Sequence, residues 1–71
     1  MLMRRFRFNR LEDVSGTSGT GHVVEGVQFT DGTVALRWRG EHPSTATYAS
    51  IDDAIWVHGH DGKTILEWID P

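Results

Sequence analysis

The chain has 71 residues, no cysteine and a formal net charge of −3. That length gives one domain near the lower limit at which a single core holds, and the lack of cysteine excludes disulfides, thiolate metal sites and a cysteine nucleophile. The acidic balance argues against coating duplex DNA, and neither a membrane-spanning run nor a secretory signal is legible, so a cytoplasmic protein with no membrane partner is expected.

Arg4 to Arg10 alternates, with Phe6 and Phe8 on one face and Arg5 and Arg7 on the other, which predicts a first strand over about 4–10 with a basic outer face. Val14-Ser15-Gly16-Thr17-Ser18-Gly19-Thr20-Gly21 has no hydrophobic period and reads as a long loop. Two alternating runs, about 22–30 and 33–39, then flank Asp31-Gly32, the strongest short-range hairpin signal, and predict a type I′ turn with positive φ at both residues. If Thr30 and Thr33 close that turn, Phe29 faces Val34 and Val27 faces Leu36 on the core side. Glu25 would then oppose Trp38, so a β-bulge is expected at Glu25-Gly26 to bring Val24 opposite Trp38 instead.

Pro43 ends the third strand, and Thr45 to Ala49 predicts a short fourth. Ser50 followed by Asp52 and Asp53 marks a helix start over about 51–58, ended by Gly59, with Ile51, Ala54 and Ile55 toward the core. Asp61-Gly62 is a further turn, and Lys63 to Ile69 a last strand. In that strand Leu66 and Trp68 share one face while Ile65 and Ile69 share the other, so it is apolar on both sides and either the helix or a partner must cover one of them. The order β-β-β-β-α-β matches a small SH3-like barrel, in which closure removes the sheet edges. The alternative is an open antiparallel sheet with the helix across one face.

The blocks Val14 to Gly21, Glu25 to Trp38, Ser50 to Asp53 and Val57 to Thr64 resemble a family of short proteins from actinobacteria, haloarchaea and their phages. The resemblance covers most of residues 11–68. It transfers no catalytic or binding residue; what it implies is context, a small accessory protein of a phage or prophage acting on a host component.

The arrangement His58-Gly59-His60-Asp61 could converge on a metal, but a histidine at a helix C-terminus also complements the macrodipole, His60-Asp61-Gly62 is ordinary turn chemistry, and four ligands cannot be assembled. No metal and no cofactor is expected. Arg5, Arg7, Arg37 and Arg39 could form an outward anion-binding patch for a phosphate-bearing small ligand or single-stranded nucleic acid, or could simply be the polar face of a sheet. The Gly/Ser/Thr loop lacks the lysine of a phosphate cradle. Trp56 lies off the Ile51/Ile55 stripe; it either plugs an open end of the sheet or stands exposed, where aromatics anchor partners. No nucleophile elbow or metalloprotease helix motif is present, so catalysis is not expected. The leading expectation is a binding module that engages a host protein or a second copy of itself through Trp56, Ser15, Gly16, Thr17, Ser18, Gly19, His58, His60 and Asp61. A structural subunit of a larger assembly is a further reading.

Overall fold

The computed structural model describes residues 2–12, 19–59 and 61–71. Among them the chain forms β1 (Arg4–Arg10), β2 (Gly21–Gln28), β3 (Val34–Trp38), β4 (Ser44–Tyr48), α1 (Ile51–His58) and β5 (Thr64–Trp68). All neighbouring strands are antiparallel, in the spatial order β4-β3-β2-β1-β5. The sheet does not close: β4 and β5 stand at opposite edges, so the open sheet forms in place of the SH3-like barrel. Closure would need a β4–β5 ladder, and five short strands with one helix on the inner face bury their apolar side without it.

The core follows from the parity of β1. Its even positions Phe6 and Phe8 are fully buried, in one cluster with Val24, Val34, Leu36 and Ala54 of α1. Ile51 and Ile55 pack against this cluster, as their spacing predicts. Ser50 caps the helix by accepting from the Asp53 amide at 3.1 Å, and Gly59 ends it by donating its amide to the Ile55 carbonyl at 2.7 Å.

The hairpin departs from the expected register, and one cause explains every difference. The Phe29 amide donates to the Thr33 carbonyl at 2.8 Å and the Gly32 amide to the Phe29 carbonyl at 3.0 Å, so the loop holds three residues, not two. Gly32 has φ +90°, whereas Asp31 keeps a negative φ and its carboxylate accepts from the Thr33 amide at 2.9 Å and hydroxyl at 2.6 Å. This is a type I turn completed by a left-handed glycine, a geometry that Asp-Gly supports as well as type I′. The longer loop shifts the pairing by one residue, and a one-residue shift exchanges the faces. Gln28 and Gly26 therefore turn inward opposite Val34 and Leu36, while Val27 turns outward opposite Ala35. Val24 does pair with Trp38, but through the turn, and the ladder runs through Glu25-Gly26 with no bulge there. The irregularity lies instead between β1 and β2, where Phe8 pairs with Val24 and Asn9 with His22, leaving Val23 as the extra residue. Both valines are buried as a result.

Gly26 is fixed by contact with Phe6. A Cβ there would fall 2.3 Å from the Phe6 ring, whose position β1 and the core already determine. Gly26→Ala should therefore cost about 1–3 kcal/mol through overpacking, read as a lower urea midpoint at unchanged slope. Unaltered stability would show that the ring moves freely.

Candidate functional site

The outward side of α1 carries the most exposed large aromatic side chain. Trp56 is 87% exposed and its neighbour Val57 45%, so Trp56 does not plug the sheet. Asp52 and Asp53 lie four residues ahead of Trp56 and Val57, on the same flank, and are themselves exposed. The opposite flank is the one the core takes: Ala54 is buried, and His58 turns in beneath Trp38, ring centroids 4.8 Å apart, sharing a 2.6 Å hydrogen bond with the Tyr48 hydroxyl. Of the residues expected to contact a partner, Trp56 is thus presented to solvent and His58 is engaged with the sheet. Gly19 and Asp61 are exposed, both with positive φ. Ser15, Gly16, Thr17, Ser18 and His60 lie outside the described residues. The described flanks of the long loop and of the turn after α1 do meet, since the Leu11 amide donates to the Lys63 carbonyl at 2.7 Å and Lys63 reaches Glu12 at 3.4 Å.

The four outward arginines are held within the sheet's own charge pattern. Across the outer face, register aligns Glu67, Arg7, Glu25, Arg37 and Thr45 in one row over all five strands, with alternating sign. Arg7 Nε donates to Glu67 at 2.9 Å, and Arg37 ends the row by donating to the Thr45 hydroxyl at 3.1 Å. Arg5 forms a fork on Asp70 at 2.8 and 3.0 Å, and Arg39 lies 3.7 Å from Glu25 while donating to the His22 carbonyl at 3.1 Å. Arg5, Arg7 and Arg39 border a half-open cleft of about 350 Å³ together with His22, Glu25 and Ile69, whereas Arg37 is not part of its wall. The hydrogen bond from Arg7 holds the Glu67 carboxyl below the usual carboxylate range, helped by the charges of Arg7 and His22. Asp70 is lowered to about 2 by the side chain and amide of Arg5, and Asp31 is lowered by the hydroxyl and amide of Thr33.

Two further arginines lie on the core side. Arg4 and Arg10 share the even parity of Phe6 and Phe8, which was the signal available. Arg4 stacks 3.7 Å from the Trp68 ring centroid. Arg10, 2% exposed, donates to the Thr64 hydroxyl at 3.0 Å and lies 5.3 Å from the Trp38 ring centroid. Among the described residues no group of three histidine or acidic side chains is close enough to hold a metal, and no helix is long and apolar enough to cross a membrane.

Fold and surface together define a small open β-sheet protein carrying a short helix whose outward side is acidic and aromatic. The sequence pattern of the Acb5 phage protein family matches residues 3–70, and the chain belongs to that family. No curated protein and no solved structure matches it.

The depressed Asp70 sets a pH dependence. Its folded value, about 2, lies below the ordinary 3.8, so the stabilisation from the Arg5 fork is complete above about pH 4 and is lost as pH falls toward 2. Wild type should exceed Asp70→Asn in urea midpoint at pH 6 and lose that advantage between about pH 4 and 2. A constant difference down to pH 2 would contradict the linkage.

Proposed function

We propose that this phage-family chain is a non-catalytic binding protein that docks a host protein through the outward side of α1. Trp56 carries the reading: an almost fully exposed tryptophan beside a half-exposed valine, on a helix whose other flank is committed to the core. Tryptophan is enriched at binding hot spots because it brings a large rigid apolar surface at low entropic cost. The exposed Asp52 and Asp53 beside it define the complementary surface as an apolar cleft rimmed by lysine or arginine. The outward arginines favour this reading over a phosphate-bearing ligand or single-stranded nucleic acid, because Glu25, Glu67 and Asp70 already sit against them.

The test compares partner capture from host cells by wild type, Trp56→Ala and Asp52→Asn. Removal of an exposed side chain should change stability by less than about 0.5 kcal/mol, so Trp56→Ala should melt with wild type yet lose the captured protein. Asp52→Asn should retain it more weakly at low salt, with the difference from wild type shrinking as salt rises. Identical capture by Trp56→Ala, or unfolding of that variant, rules out the helix face as the docking surface.

A further inference from the structure

The chain contains the pair Asp-Gly twice, at Asp31-Gly32 and at Asp61-Gly62, and both pairs lie in turns. In such a pair the glycine nitrogen can attack the aspartate carboxyl before it, because glycine has no side chain to screen its amide. The sequence therefore offers two equal candidates for a change in the main chain itself. Their surroundings in the fold are opposite.

At the first pair every group that the attack requires is already engaged. The Asp31 carboxylate accepts from the Thr33 amide at 2.9 Å and from the Thr33 hydroxyl at 2.6 Å, and the Gly32 amide donates to the Phe29 carbonyl at 3.0 Å. The Thr33 bonds also hold the Asp31 carboxyl below its ordinary value, and an ionised carboxylate is a poor electrophile. At the second pair the same groups are unengaged. Among the described residues neither the Asp61 carboxylate nor the Gly62 amide has a hydrogen-bond partner, and both residues are exposed. Both also have positive φ, +56° at Asp61 and +85° at Gly62, a conformation that an aspartate seldom takes. Open space does not separate the two pairs, since a Cβ would meet nothing within 4 Å at either Gly32 or Gly62. Hydrogen bonding does.

We propose that Asp61-Gly62 is a site of spontaneous conversion to isoaspartate in the folded protein, and that Asp31-Gly32 is protected from it. The Gly62 main-chain nitrogen bonds to Asp61 Cγ, the nitrogen gives up its proton, and one carboxyl oxygen leaves as water, which closes a five-membered succinimide. Water then opens the ring at one of its two carbonyls. Opening at Cγ restores aspartate; opening at the main-chain carbonyl routes the backbone through the side chain and adds one methylene to it. The addition falls inside the loop that the Thr64 amide closes on the Gly59 carbonyl at 3.0 Å, between the end of α1 and the start of β5.

This inference goes beyond the helix-face reading and does not depend on it, since Trp56 takes no part in the reaction. Trypsin separates the two pairs, placing Asp31 in residues 11–37 and Asp61 in residues 40–63. Folded protein is incubated at neutral pH and digested, and isoaspartate is assigned by electron-transfer fragmentation and by labelling with an isoaspartate-specific carboxyl methyltransferase. Conversion at residue 61 should run at least about tenfold faster than at residue 31, the factor that one hydrogen bond broken before reaction supplies. In urea, where the bonds of both turns are lost, the two rates should converge. Thr33→Val, which removes the hydroxyl and keeps the amide, should speed conversion at Asp31. Equal rates in the folded protein, no isoaspartate at residue 61, or a preference for residue 61 that survives in urea overturns the proposal. An unchanged rate at Asp31 in Thr33→Val overturns the protection assigned to that side chain.

Discussion

The approach of the Phe6 ring to the backbone of Gly26 is the constraint on which the rest of the structure depends. Phe6 belongs to β1, and on the side away from β2 its ring packs edge-on against Trp68 of β5, centroids 5.4 Å apart, so it cannot retreat from β2. With no Cβ at Gly26, β2 can lie directly under the ring, and this holds Gly26 inward. Strand parity then decides everything along β2: Val24 and Gln28 follow it into the interior, and Glu25 and Val27 are forced out. A slip of one residue would put Glu25 against the Phe6 ring and lose the alignment of the outer face as well.

That alignment explains an asymmetry visible in the composition. Every arginine falls in the first 39 residues, while Glu67 and Asp70 lie at the far end of the chain. In one dimension this looks like a basic half and an acidic half, the kind of segregation that suggests a polyanion partner. Folding brings β5 beside β1 and sets Glu67 on Arg7 and Asp70 on Arg5. Glu25 lies between Arg7 and Arg37 in the same row, so the charge separation along the sequence becomes a cross-strand alternation in space. Each exposed pair stabilises little alone. Their joint effect is on register: a one-residue slip of β5 against β1 would take Glu67 away from Arg7 and Asp70 away from Arg5.

The elements themselves were legible because each rests on local chemistry. Alternation gave β1, the Ser50 cap with Asp52 and Asp53 gave α1, and Asp31-Gly32 gave the hairpin. What local chemistry could not supply was the loop length. Asp31-Gly32 suits a two-residue turn with both residues at positive φ or a three-residue turn with only Gly32 there, and the choice moves every side chain of β2 to the other face. The expected bulge at Gly26 followed from the first option; the glycine answers instead to Phe6, a contact between positions 20 residues apart. Closure was illegible for a related reason, because whether β4 meets β5 depends on accumulated twist and no residue pattern encodes it. The candidate site divides along the same line. Trp56 could be placed off the core stripe from spacing alone, but whether it would cover an open end depended on closure. Arg4 and Arg10 carry the parity of Phe6 and Phe8, and it is this parity, not their charge, that places them beside Trp68 and Trp38.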